Sequence, residues 1–253
     1  RPAERPPAPE PGRISVPVPP LPEKAVAVII DDIGHSRQAA MPFLETPYPV
    51  ALSFLPGRPF SGELAREALG KHKTLLLHLP MEPRGYPAVD PGTGAVLVSQ
   101  GKGEIQRILG EDLASLPGIV GINNHMGSRA TADTRVMDAV LELIRHRGLF
   151  FIDSRTTPET VAYLMAREMG VPSIQRDVFL DNLQEPSAID DKIDELLDLA
   201  VERGWALGIG HPHAQTAEAL VRLDEKADER GVKWISLEGL VSYADPGNRD
   251  IMR

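Results

Sequence analysis

Short apolar runs recur along the chain at Ala25 to Ile30, Val50 to Phe54, Thr74 to Leu77, Ile119 to Ile122, Leu149 to Ile152, Val178 to Leu180, Trp205 to Ile209 and Val232 to Ile235. Most are nearly continuous rather than alternating, which is the pattern of strands buried on both faces of a parallel sheet. Between them lie stretches of helical period with recognisable ends. Ala132 to His146 is closed by Gly148, and Glu159 to Met169 has Pro158 at its first turn and Gly170 behind it. Ser187 to Arg203 starts on a capping serine and stops at Gly204, Ala214 to Arg230 stops at Gly231, and a further helix is expected near Glu104 to Leu116.

Strand starts recur every 24 to 30 residues, with one interval of 45. Repeated βα units of this kind build either a closed β/α barrel or an open doubly wound sheet. No strand is followed by GxGxxG or GxxxxGK[ST], which removes the best support for nucleotide binding on an open sheet. The pattern therefore predicts an α/β fold, a distorted (β/α) barrel of about seven units with parallel strands. The long interval, His78 to Gly118, follows a strand and should lie over the C-terminal mouth, where barrel enzymes build their sites.

Residues 1–22 read differently. They hold nine of the 24 prolines and almost no bulky apolar side chain before Leu21, so they are expected to form a disordered linker ahead of a single domain over residues 23–253. A Pro-rich tether suits a domain held away from an upstream membrane anchor, and a plain disordered tail suits the composition equally. The chain begins with Arg1 rather than Met, which reads as a shortened N-terminus from which an anchor or signal segment has been lost.

The 253 residues carry 27 Lys and Arg against 36 Asp and Glu, a net charge of −9, and no basic run, so nucleic acid is not an expected partner. Cysteine is absent, which excludes disulfides, thiolate metal sites and a cysteine nucleophile. A serine hydrolase would need an elbow such as GxSxG, and none occurs.

The ionisable residues cluster at strand ends. Asp31 and Asp32 follow the first run, His78 the third, Asn123, Asn124 and His125 the fourth, Asp153 and Ser154 the fifth, Asp181 the sixth, and His211 and His213 the seventh. On a barrel they converge on one rim. His72 and His146 fall in last helical turns, where a cation interacts well with the helix dipole, and His35 lies near a helix start; all three read as structural. Adjacent carboxylates at a strand end point in different directions, so one can hold a metal while its neighbour accepts a proton. Asp32 with two imidazoles from neighbouring strands makes a mixed N/O set suited to Zn²⁺ or another first-row divalent ion. Ordinary buried histidines are the alternative for His78 and His125. Pro212 keeps the backbone extended, so only one of His211 and His213 should enter the site. A two-carboxylate glycosidase using Asp31, Asp153, Asp181 or Glu82 would leave the histidines unexplained.

The strings AVIIDDIG, LLLHLPMEP, GINNHMGSRAT, FFIDSRT, RDVFLDN and GIGHPH occur in this order over about Lys24 to Tyr243 and together resemble the divergent polysaccharide deacetylase family, a branch of the NodB-type carbohydrate esterases. The resemblance implies a distorted barrel and metal-dependent removal of acetyl groups from a cell-wall or exported polysaccharide, outside the cytoplasm. It implies Asp31 as catalytic base, Asp32 as ligating carboxylate, His78 as first ligating histidine and His211 as the histidine that protonates the leaving group. The better-known members place a second metal histidine within one helical turn of the first, whereas here Leu79 to Glu82 follow His78. His125 is the expected replacement, with Glu82 or His213 as substitutes, and Asp153 is expected to orient a histidine. Amides around Asn124 or the long loop are expected to stabilise an oxyanion. The rival expectation is a non-catalytic carbohydrate-binding or envelope-scaffolding protein that keeps the metal site as a remnant.

Overall fold

The computed structural model describes residues 22–244, so the linker expected over residues 1–22 falls outside it but for Pro22. Among the described residues nine strands and eight α-helices follow one another: β1 (Ala25–Ile33), α1 (Arg37–Glu45), β2 (Ala51–Phe54), α2 (Ser61–Gly70), β3 (Thr74–Met81), α3 (Lys102–Ser115), β4 (Ile119–Met126), α4 (Thr134–His146), β5 (Phe150–Asp153), α5 (Ala162–Glu168), β6 (Ser173–Gln175), β7 (Val178–Phe179), α6 (Pro186–Arg203), β8 (Trp205–Gly210), α7 (Ala214–Glu229), β9 (Lys233–Trp234) and α8 (Leu237–Ala244). No helix among the described residues is long and apolar enough to cross a membrane.

Every strand pairing is parallel, in the order β6-β5-β4-β3-β2-β1-β8-β7, with β9 added beside β1. The sheet curls into a distorted barrel whose ladder is open between β6 and β7. Two residues of main chain cross that seam: the Arg176 amide donates to the Asp153 carbonyl at 2.9 Å and the Asp177 amide to the Leu207 carbonyl at 3.0 Å.

Alternation along each strand divides the core in two. Outward residues such as Val26, Val28, Ile30, Leu75 and Leu77 pack beneath the helices, while Ala25, Ala27, Ile29, Leu76, Phe150, Ile152, Leu207 and Ile209 fill the barrel interior. Leu237, Leu240 and Val241 of α8 join the interior cluster and plug its N-terminal end. Gly121 is required there, because a Cβ at that position would lie 2.3 Å from the Phe150 ring, closer than any real contact.

Several element ends differ from the sequence reading. Helix α5 begins at Ala162, because the Asp153 carboxylate and the Thr160 hydroxyl hold the preceding segment in a turn. Helix α6 begins on Pro186 with Glu185 as its N-cap, and α4 is capped by Asp133, which accepts from the amides of Arg135 and Val136. Strands β1, β3 and β4 run past their apolar stretches and include Asp32, His78 and His125.

Candidate functional site

The interior cluster of the barrel is apolar below and polar above. Continuing the inward alternation of Ala25, Ala27 and Ile29 places Asp31 inside, and continuing from Leu76 places His78 inside. The register of β3 with β4 sets His78 against Asn123 and Pro80 against His125, so Asn123 and His125 face the same way. Asp31, His78 and Asn123 are all buried.

In a regular strand Asp32 would point away from this group. The pairing of β1 with β2 slips between Ile30 and Ile33, and Asp32 takes a left-handed φ of 56°, which turns its carboxylate back to the rim. A non-glycine residue held there is strained, and such strain concentrates at functional sites. The bulge explains how two consecutive carboxylates reach one site.

Asp32 Oδ1 lies 3.0 Å from His125 Nδ1 and 3.3 Å from His78 Nε2, and the two ring nitrogens are 3.1 Å apart. Asp32 Oδ1 is buried and makes no hydrogen bond of acceptable geometry, while the two imidazole nitrogens beside it lie within hydrogen-bond distance of each other. A tetrahedral ion with bonds near 2.0 to 2.1 Å places neighbouring ligand atoms about 3.3 Å apart, close to this triangle. The donor set, one carboxylate oxygen and two imidazole nitrogens, fits a divalent first-row ion such as Zn²⁺ and leaves a coordination position free.

Asn123 explains the ring orientation of His78. Its Nδ2 donates to Asp31 Oδ1 at 2.8 Å and reaches Ser154 Oγ at 3.2 Å, so its Oδ1 must face the other way. That oxygen accepts from Ser53 Oγ and meets His78 Nδ1 at 3.0 Å. His78 Nδ1 therefore carries the proton and Nε2 turns its lone pair to the triangle. Asp31 Oδ2 is 3.6 Å from His78 Nε2, close to the triangle but outside it. Burial pushes the Asp31 carboxyl above its ordinary value, offset in part by His78, His211 and the Asn123 hydrogen bond. Burial also opposes the charge on Asp32, but the two imidazoles outweigh it and hold that carboxyl well below the usual range.

Opposite stands a second pair. Asp181 Oδ1 is 2.8 Å from His211 Nδ1, and Asp181 Oδ2 accepts from the His211 amide at 2.6 Å and from Thr216 Oγ1 at 2.6 Å. Burial disfavours a charged His211, yet the Asp181 hydrogen bond and charge, together with Asp31 and Asp32, raise its pKa to about 9. Asp181, His211 and His213 also lie close enough to suggest a metal cluster, but both Asp181 oxygens are already committed. His213 sits at the N-cap of α7, with Nε2 3.2 Å from Gln184 Nε2, so His211 alone is built into the pair.

The structure does not bring Asp153 or Glu82 to the triangle. The Asp153 carboxylate meets no histidine; β5 alternation turns it outward, where it accepts from the Arg155 amide, Thr160 Oγ1 and the Tyr163 amide. Glu82 is buried but committed to Arg129 Nη1 at 2.6 Å and the Val98 amide at 2.7 Å, tying the long loop to the turn after β4. The Asn124 side chain donates from Nδ2 to the Met126 carbonyl and accepts the Ser154 amide on Oδ1, which ties it into the turn after β4. Asp181 and Asn123 are the polar residues the sequence reading left without a role. Asp181 was visible as a strand-end carboxylate, whereas only the β3–β4 register reveals Asn123.

Comparison with known proteins agrees with this fold. The chain is 33% identical over 198 residues to the uncharacterized protein YibQ of Escherichia coli (strain K12), an alignment covering 78% of this chain and 61% of that one, so the chain spans about three fifths of that relative's length. Among solved structures, an uncharacterized protein of Agrobacterium tumefaciens C58 superposes with a TM-score of 0.80 at 24% identity, covering 86% of this chain and 89% of the other. A mutant of a CE4 family pseudoenzyme from Bacillus anthracis, described as having restored enzymatic activity, superposes with a TM-score of 0.53 at 15% identity over 86% of this chain and 67% of that one, a likeness of fold. Residues 28–241 match the family described as divergent polysaccharide deacetylase, which spans most of the barrel and every residue of the site, and the chain belongs to that family.

Proposed function

We propose that the protein is a metal-dependent hydrolase that removes acetyl groups from a polysaccharide, a cell-wall or exported glycan, outside the cytoplasm. The observation that carries this reading is the triangle of Asp32 Oδ1, His78 Nε2 and His125 Nδ1 with a separate buried carboxylate, Asp31, beside it. A purely structural metal site has no use for a second carboxylate at its edge, held by one oxygen with the other free.

Asp32, His78 and His125 would hold the ion. When bound, a divalent ion supplies Lewis acidity toward water and toward the acyl oxygen. Asp31 Oδ1 is anchored by Asn123, which leaves Oδ2 free to take a proton from an attacking water. A cation on the adjacent aspartate favours the ionised form of Asp31, against the effect of burial. Asp181 occupies His211 Nδ1, so Nε2 is the ring nitrogen left to protonate the departing amine or alkoxide, and a pKa of about 9 keeps that proton present at neutral pH. Membership of the family and the chemistry of the site support the reading together.

The test measures bound metal and acetate release from acetylated chito-oligosaccharides and small acetyl esters, using protein purified without chelator. Acetate release that chelation abolishes and Zn²⁺ restores supports the proposal. Stoichiometric metal with no acetate release from any acetylated glycan overturns it in favour of a glycan-binding protein.

A further inference from the structure

Two arginines at the rim have no acid to pair with. Arg84 is held by Glu159 and Arg129 by Glu82, but among the described residues neither Arg155 nor Arg176 is joined to any carboxylate. Arg176 is partly buried in the seam of the barrel. Its Nε donates to the Ser154 carbonyl at 2.8 Å, one Nη2 proton goes to the Arg155 carbonyl at 3.0 Å, and Nη1 lies 3.5 Å from the Asp177 carbonyl. Carbonyls satisfy those N–H groups without neutralising the charge, and two of the five guanidinium protons remain uncommitted. Arg155 is exposed, follows Ser154 directly and is held at a left-handed φ of 47°. Burial lowers the Arg176 pKa and the charge of Arg155 adds to this, while Asp177, Asp153 and Asp31 oppose it in part.

Like charges kept together with no carboxylate bonded to either are costly, and in a chain of net charge −9 acidic partners are plentiful. Their position relates them to the chemistry. The Arg176 guanidinium lies over the Phe179 ring at 3.8 Å, and Phe179 stacks on His211 with ring centres 6.0 Å apart. The pair therefore borders the side of the mouth where the leaving sugar would lie.

We propose that Arg155 and Arg176 form a subsite for an anionic group of the glycan, a sugar carboxylate or a phosphate substituent, which makes the substrate an acidic rather than a neutral polysaccharide. The inference rests on the hydrolytic reading for the identity of the ligand as a glycan, but its test reads binding and not turnover. Guanidinium groups suit such oxyanions because their paired N–H donors match two oxygens at once. The overall negative charge repels a polyanion at a distance, so these two residues act at contact, beyond the reach of that screened field.

The experiment is calorimetric titration of the metal-loaded protein with an oligogalacturonate, a phosphorylated chito-oligosaccharide, neutral acetylated chitohexaose and inorganic phosphate. At least one acidic oligosaccharide is expected to bind about tenfold or more tightly than the neutral one, the scale of one charge-assisted contact. Preference between the carboxylate and phosphate ligands identifies the anion, and binding of inorganic phosphate alone overturns the glycan assignment. Arg155→Ala should lose most of the preference while keeping the parental metal content and thermal midpoint, because its side chain is exposed. Arg176→Lys, which keeps the charge but not the paired donors, should lose part of it. Equal affinity for acidic and neutral oligosaccharides, or an undiminished preference in Arg155→Ala, overturns the proposal. Acetate release that is normal on neutral glycans, with no acidic preference, would leave the hydrolase reading standing and remove this one.

Discussion

His78 Nδ1 and Asn123 Oδ1 stand 3.0 Å apart, and this one contact decides which nitrogen of His78 faces Asp32 and His125. Asn123 is fully buried and joins the Asp32–His78–His125 triangle to Asp31 through a single amide. Replacing Asn123 by Ala frees the tautomer and removes the anchor of Asp31. Metal affinity should fall roughly 10- to 100-fold, the usual effect of losing the partner of a ligating histidine. Competition with a coloured chelator measures it, and unchanged affinity would show that packing alone orients the ring.

The two adjacent aspartates should separate by function. Asp32→Asn removes a ligand charge, so bound metal and acetate release fall together. Asp31→Asn should retain the metal while turnover falls roughly 10²- to 10⁴-fold, the contribution of a general base. Metal analysis alongside acetate release distinguishes them, and equal metal loss in both would assign Asp31 to the ligand set.

The Asp181–His211 pair predicts a basic limit to activity. His211 must be protonated to act as an acid, and its pKa is raised to about 9, so kcat/KM should decline as pH rises through that value. Asp181→Asn should move the limb toward about 6.5, the ordinary histidine value, costing roughly 30-fold at pH 8. Because folding raises this pKa, the associated stability is fully present below about pH 6.5 and disappears as pH rises through about 9. A pH-rate profile and thermal midpoints across that window check both statements.

Asp112 of α3 should respond in the opposite sense to an ordinary surface acid. It is buried against Gly94 in the long loop, its Oδ2 lacks a partner, and burial followed by the nearby Glu111 raises its pKa to about 7. Its neutral form is the one the fold prefers, so its contribution to stability declines as pH rises from about 4 through 7. Asp112→Asn should raise the thermal midpoint by about 5 °C or more at pH 8, and by little at pH 4. Scanning calorimetry of both proteins at the two pH values provides the comparison.

Much of this was legible in the chain. The apolar runs located most of the strands because strands covered on both faces need apolar residues at consecutive positions. Asp32, His78 and His125 were visible because polar residues that end such runs have few structural reasons to be there. Helices α1 and α2 were anticipated only by an end each, near His35 and His72, and their extents were not legible: Pro42 lies inside the first, and Gly62 and Gly70 dilute the second. Strand β6 is only three residues long and α8 carries almost no polar face, so neither announces itself by period. Asp153 was misjudged because alternation decides which way a strand-end carboxylate points, and the end of β5 could not be fixed to one residue. Asn123 shows the same limit from the other side, since its role depends on register with a strand 45 residues away.

The seam between β6 and β7 gives the barrel a direction in which it can yield. Anywhere else, spreading the mouth would tear a ladder such as the pairing of Ala25 through Ile30 with Trp205 through Gly210. At the seam no ladder is torn, because the Arg176 amide stays with Asp153 on the β5–β6 side and the Asp177 amide with Leu207 on the β7–β8 side. The same two residues are also a tether. Fully extended they span about 7 Å, so the barrel has a slot that opens cheaply and stops at a fixed width.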